Sequence, residues 1–325
     1  MAGGDPRERT SLIVTVLDEG GTIDGLLESI ACQTEPPDEV VVVDGGSTDG
    51  TWERLDAWRE RLPMRVVRAP GASIARGRNL AVEAASSEVI AVTDAGVRLD
   101  AEWLARLNAA LDDETDVVSG FFRPDPRTTF ERAMGATVLP ALDDVEPQSF
   151  LPSSRSVLFR RAAWEQVGGY PEWLDYCEDL VFDLALREAG CRFAFAPEAI
   201  AWFRPRGSLR SFFKQYYLYA RGDGRANLWL KRHLIRYATY VVAMTLVGRR
   251  RPWAWALLTL GVAAYTRRPY ARLRPYVMTS TAAEQAYALA LVPLIRAVGD
   301  VAKMLGYPVG VLWRLHTRWI SRSSS

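Results

Sequence analysis

Residues 11–51, SLIVTVLDEGGTIDGLLESIACQTEPPDEVVVVDGGSTDGT, hold two short β-branched runs with a helical pattern between them. The runs 11–16 (SLIVTV) and 39–44 (EVVVVD) are apolar almost throughout and end in polar residues, as buried parallel strands do. Between them Ile23, Leu26, Leu27 and Ile30 recur at helical spacing over 22–32, and the Pro-rich segment 34–38 breaks the chain. Outward from this unit the alternation continues with a helix over 51–61, a strand over 64–68, a helix over 74–85 and a strand over 89–93. Such alternation predicts an α/β fold with a doubly wound, mainly parallel, Rossmann-like sheet, which binds ligands beyond the carboxyl ends of its strands.

The polar residues just after those strands therefore carry most information. Asp18 and Glu19 follow the first strand, Asp44-Gly45-Gly46-Ser47 the second, and Asp94-Ala95-Gly96 the fourth. Taken singly, each also reads as a helix cap or turn, and 44–50 (DGGSTDG) makes a good loop in any fold. Capping alone accounts less well for acidic clusters at three successive strand ends. Further on, a helix over 101–111 reads as capped by Asp100. Over 116–205 the pattern gives a strand at 156–160, a helix at 161–167 closed by Gly168-Gly169, a helix at 179–189 closed by Gly190, and a strand at 192–196.

Composition narrows the partners. In 325 residues, 40 Lys and Arg nearly balance 39 Asp and Glu, which gives no reason to expect nucleic acid. The first 200 residues lean acidic. From Arg204 onward Arg and Lys outnumber acids and alternate with aromatic residues, a mixture suited to anionic headgroups. The cysteines, Cys32, Cys177 and Cys191, have neither metal-ligand nor disulfide-framework spacing and fit a reducing compartment. The first dozen residues lack the apolar core of a secretory signal, so the catalytic domain is expected on the cytoplasmic side.

In their order, the blocks SLIVTVLDEGGTIDGLLESIACQT, VVVDGGSTDGT, ARGRNLAVEAASSEVIAVTDAG and VGGYPEWLDYCEDLVFDLALREAG, with the region around Gln215, resemble the family 2 glycosyltransferases of the GT-A fold. The resemblance covers about 11–225 and is nearest to bacterial exopolysaccharide enzymes of the succinoglycan type. It implies transfer of a sugar from a nucleotide-sugar donor to an acceptor hydroxyl. It also implies roles for individual residues. Thr15, Asp18, Glu19 and Asp44 match the positions that hold the base and ribose, and Arg78 with Asn79 matches an Arg-Asn pair near the nucleotide. Arg76 is either a phosphate contact or a solvated arginine. Asp179 matches the base that deprotonates the acceptor, with Glu178 beside it; as helix N-terminal acids the pair also suits the macrodipole.

Two departures from the family pattern stand out. The aspartate-any-aspartate motif, which holds Mg²⁺ or Mn²⁺ on the donor diphosphate, reads Asp94-Ala95-Gly96. Asp94 is left as donor contact or as metal ligand, alone or through water. The Gln-x-x-Arg-Trp signature of processive synthases is absent: Gln215 is followed by Leu218-Tyr219, with Arg221 beyond. This implies one sugar per acceptor. Gln215 and Arg221 either meet acceptor or diphosphate or simply end an amphipathic helix. The rival readings are an inactive sugar-nucleotide-binding scaffold and a nucleotidyltransferase; the latter lacks its Lys-containing phosphate loop.

The last third holds three apolar stretches, 237–247, 253–265 and 282–295, each short of the roughly 20 residues that span a bilayer. A hairpin of the first two would carry Arg249-Arg250-Arg251 at its tip, against the positive-inside tendency. The expectation is a flexible N-terminus over 1–10, a GT-A domain over 11–228 and membrane-associated helices over 229–325. Those helices would be peripheral or re-entrant at the cytoplasmic face of the bacterial membrane, near a lipid-linked or membrane-presented acceptor. The other reading is a soluble helical subdomain.

Overall fold

The computed structural model describes residues 8–323. Of the expected flexible N-terminus, 1–7 lie outside the described residues, and Thr10 already opens a strand. In chain order the elements are β1 (Thr10–Val16), α1 (Ile23–Ala31), β2 (Glu39–Asp44), α2 (Thr51–Trp58), β3 (Met64–Arg68), α3 (Ile74–Ala84), β4 (Val89–Asp94), β5 (Val97–Leu99), α4 (Trp103–Ala109) and β6 (Val117–Pro124). They continue as α5 (Thr129–Val138), β7 (Val157–Arg160), α6 (Arg161–Val167), α7 (Glu178–Glu188), β8 (Phe193–Phe203), α8 (Leu209–Arg225), α9 (Leu230–Arg249), α10 (Pro252–Val277) and α11 (Ala282–Ser323). By compactness the chain forms two units, Met1–Arg123 with Leu142–Phe203, and Pro124–Ala141 with Arg204–Ser325.

The first unit is built on an eight-stranded sheet in the order β3-β2-β1-β4-β7-β6-β8-β5. Strands β3, β2, β1 and β4 run parallel, whereas β7 is antiparallel to β4 and β6, and β5 to β8. The sheet is thus mixed, which corrects the expectation of a mainly parallel one. The reason lies in the strands. β1, β2 and β4 are buried at nearly every position, as helices on both faces require, whereas β8 carries Pro197 and Glu198 and is buried only at intervals.

Strand alternation sends Leu12, Val14 and Val16 to one face, against Ile23, Leu26, Leu27 and Ile30 of α1 and Trp103 of α4. Ile13, Val41 and Val43 face the other way, onto Ala75, Ala81 and Val82 of α3 and Phe182 of α7. The parallel register aligns the strand ends: Val16 pairs with Asp44, and Thr15 with Asp94. Gly77 lets α3 approach β1, because a Cβ there would lie 2.9 Å from Cγ2 of Thr15. One local expectation fails. Asp100 does not cap α4; its carbonyl accepts from Trp103 N at 3.0 Å and closes a turn, so the helix starts at Trp103.

The second unit is helical. α8 and α11 pack backbone to backbone, since a Cβ on Gly224, Gly306 or Gly310 would collide with the facing main chain. Phe212 of α8 packs with Ala133 and Met134 of α5 and with Leu291 and Ile295 of α11. The three apolar stretches lie inside α9, α10 and α11, helices of 20, 26 and 42 residues. Among the described residues no helix is long and apolar enough to cross a membrane. Large apolar side chains are nevertheless exposed, among them Met244 (73%) and Leu260 (66%). Arg250, in the left-handed region at φ 49°, forms the tight turn between α9 and α10.

Candidate active site at the strand ends

The first two loops are tied together by their own polar groups. Asp18, at φ 54°, donates its amide to Ser47 Oγ (2.9 Å) and accepts from Thr48 N on Oδ1 (2.8 Å). Glu19 N donates to Thr51 Oγ1 at 2.9 Å, while its carboxylate receives the Thr22 hydroxyl. Asp44 is fully buried at the end of β2. Its Oδ1 accepts from Gly46 N (3.1 Å), Ser47 N (2.9 Å) and Ser47 Oγ (2.6 Å), which is a turn-forming role. Its Oδ2 is equally buried and has no partner. One carboxylate thus holds the loop with one oxygen and presents the other as an acceptor, an arrangement costly to leave unpaired. Thr15, half-buried against Gly77, lies on the adjacent strand.

The second cluster centres on Arg78, 2% exposed in the first turns of α3. Its guanidinium reaches Glu178 Oε1 at 2.7 Å and Asp94 Oδ1 at 2.9 Å, and it lies over the Tyr170 ring at 5.4 Å. Burial works against the charge on Arg78, but Asp94 and Glu178 more than offset it and hold the side chain firmly protonated. Asp179 follows Glu178 at the start of α7; its Oδ1 accepts from the adjacent Leu180 N (2.8 Å). Burial raises the Glu178 carboxyl to about 7, with Asp179 pushing the same way and Arg78 opposing. Arg78 therefore faces more carboxylates than it can neutralise, and the enclosed Glu178 retains its proton longer than an ordinary carboxyl.

Asn79 is structural: its amide group donates to Tyr170 O and Glu172 Oε1 (2.9 Å each), and its Oδ1 accepts from Tyr170 N (2.8 Å) and Trp164 Nε1 (3.1 Å). Arg76 is exposed and pairs with Glu172 at 3.2 Å. Gln215 donates to Tyr219 Oη (2.8 Å) and accepts from Arg206 Nε (3.3 Å). It lies with Arg221 on α8 in the helical unit.

Asp94 does not make a cation site with its neighbours. Oδ1 is taken by Arg78 and Oδ2 lies 3.9 Å from Arg155 Nε, and among the described residues no three His, Cys, Asp or Glu gather as a metal set. Gly96, where the second carboxylate would stand, is exposed with open space around it. The donor set fits a guanidinium better than Mg²⁺ or Mn²⁺.

Sequence reasoning missed three members of the site. Asp183 is one turn beyond Asp179 and buried, with Oδ2 unpartnered; burial, helped by Asp179, drives its carboxyl well above the ordinary range. The i,i+4 spacing in EDLVFD was the available signal. Tyr170 stacks on Phe182 at 4.1 Å, and burial raises its hydroxyl too. Arg155 lies over the Phe203 ring at 4.7 Å. Nothing local in the sequence marks Tyr170 or Arg155, because their partners come from distant strands and helices.

A mixed α/β sheet with acids at its strand ends, and a buried arginine between Asp94 at the end of β4 and Glu178 at the start of α7, is the architecture of a GT-A-like fold. Residues 11–164 match the family model for glycosyl transferase family 2, so this part of the chain is a glycosyltransferase domain of that family. The succinoglycan biosynthesis protein ExoA of Rhizobium meliloti is 29% identical over 255 residues, 71% of this chain and 73% of that protein. The glycosyltransferase AglE of Haloferax volcanii is 26% identical over 73% of this chain and 80% of its own length. In fold, the chain is similar to a mannosyltransferase of Pyrobaculum calidifontis solved in complex with GDP-Man and Mn²⁺. The TM-score is 0.59 at 21% identity, over 95% of this chain and 87% of that one.

Proposed function

We propose that this glycosyltransferase adds one sugar per turnover, with inversion, from a nucleoside diphosphate donor to an acceptor presented at the cytoplasmic face of the membrane. The observation that carries the chemical reading is Asp179. It starts α7 with one oxygen uncommitted among the described residues, while its neighbour Glu178 is tied to Arg78. In the proposed step the acceptor O–H proton passes to Asp179, and the acceptor oxygen bonds to the anomeric carbon. The bond from that carbon to the phosphate oxygen breaks, and the nucleoside diphosphate leaves with the electron pair. The open Oδ2 of Asp44 supports binding of a base or ribose donor group, with Thr15, Asp18 and Glu19 in the same strand-end loops.

The Pyrobaculum neighbour supports a nucleotide sugar as donor class. Its Mn²⁺ supports cation use in related enzymes, yet Asp94 is committed to Arg78 in this chain, so no step here is routed through a metal. Membrane association is supported by the exposed apolar side chains of α9 and α10 and by their charge. From Lys231 to Arg296 there are eleven Lys or Arg and one acid, Glu284.

The test is transfer from a panel of nucleotide sugars with NMR assignment of the product anomer. Asp179→Asn should lower kcat by about 10²–10⁴-fold with donor affinity unchanged. Transfer by the variant at the wild-type rate would falsify the assignment. Donor binding with no turnover on any acceptor would favour a scaffold. A chain that fails to float with anionic vesicles would overturn the membrane part alone.

A further inference from the structure

We infer that the helical unit carries a second binding site, a pocket for the phosphate of an amphiphilic phosphate ester. Between α10 and α11 lies a cavity of about 520 Å³ lined by Ala264, Tyr265, Arg267, Arg268 and Arg296. That volume falls in the range of small-ligand sites. Its lining contains three arginines and no carboxylate. Arg296 stacks on the Tyr265 ring at 4.6 Å, and its buried Nε–H has no hydrogen-bond partner. No carboxylate pairs with Arg267 or Arg296 among the described residues.

Asp300, the acid bonded to the lining residue Tyr265, is already in use. Asp300 accepts from Arg236 Nε at 2.8 Å, Tyr265 Oη at 2.7 Å and Tyr240 Oη at 3.2 Å. Lys303, whose ammonium burial lowers to about 8, adds further positive charge in that unit. An unpaired buried guanidinium N–H together with a second arginine matches a phosphate, which accepts charge-assisted hydrogen bonds from several donors. The apolar requirement comes from α10, where Leu257, Leu260 and Val262 are exposed within about two to three turns of Arg267. A phosphoryl head in the cavity would leave an alkyl chain beside those side chains.

This site extends the membrane-surface reading to named residues but does not depend on sugar transfer. The experiment is calorimetry on the full-length protein with dihexanoyl phosphatidic acid below its micelle concentration, dihexanoyl phosphatidylcholine and inorganic phosphate. Phosphatidic acid should bind one to one and phosphatidylcholine should not. Arg296→Gln should weaken binding about tenfold. Arg267→Gln, at an exposed position that leaves packing intact, should do likewise. Inorganic phosphate bound as tightly, with the same sensitivity, supports the phosphate site and assigns it to free anion. No binding of phosphatidic acid, or binding that Arg267→Gln leaves unchanged, overturns it. Vesicle flotation is scored separately: a chain that floats but binds no phosphatidic acid keeps the membrane reading and loses the pocket.

Discussion

The two units each bury a carboxylate against an arginine, but with opposite excess. Around Arg78 stand Asp94, Glu178 and Asp179, with Asp183 one turn away, so acid is in surplus. Around Asp300 stand Arg236, Tyr240 and Tyr265, with Arg296 and Lys303 nearby, so cation is in surplus. An acid-rich cluster has spare capacity to take a proton, whereas a cation-rich one has spare donors for an external anion. The contrast teaches that similar ion pairs set different chemistry according to which partner is left over.

Breaking the pair on the cation-rich side should give the largest stability change. Asp300→Asn leaves Arg236, 19% exposed, without its counter-ion and should cost about 3 kcal/mol, read as a lowered denaturation midpoint. An unchanged midpoint would show that solvent already compensates Arg236.

On the acid-rich side the expected effect lies in pH. Glu178 holds its proton up to about 7 in the folded chain, above its ordinary 4.5, so between those values the folded state binds more protons than the unfolded one. Stability should therefore fall as pH rises through that window, and Asp183, raised by the same burial, adds to the slope. Glu178→Gln keeps the hydrogen bond from Arg78 and removes the titration, so thermal melts from pH 5 to pH 8 should flatten. A slope identical to wild type would place the titration elsewhere.

A smaller effect should follow from adding acid where the motif lacks it. Gly96→Asp introduces a side chain into open space and should tighten Mn²⁺ binding about tenfold in a thermal-shift titration. No gain would mean that Arg78 keeps Asp94 from any metal. The smallest effect is expected at Arg76, whose side chain is 44% exposed and only paired at the surface. Arg76→Ala should change stability by less than about 0.5 kcal/mol; a tenfold rise in donor KM would instead reveal a phosphate contact.

The parallel half of the sheet was legible because its strands are near-continuous apolar runs, and so were the strand-end acids Asp18, Asp44 and Asp94. The antiparallel half was legible only in part: β7 and the start of β8 were predicted, whereas β6 and the rest of β8 mix polar and apolar residues without a period that separates strand from loop. In the site, the Glu178-Asp179 pair was readable as a motif, but its link to Arg78, a hundred residues earlier, was not.

Local pattern thus determined the parallel strands and the helices between them, the acids at the strand ends and the missing second carboxylate, because each depends on neighbours within a few residues. Only tertiary structure decided that Arg78 is the cation between Asp94 and Glu178, and that Asp44 keeps one oxygen free. It also decided that the basic residues of α10 and α11 share one cavity. Burial and charge balance are sums over groups brought together by folding, and a sequence read one segment at a time does not contain those sums.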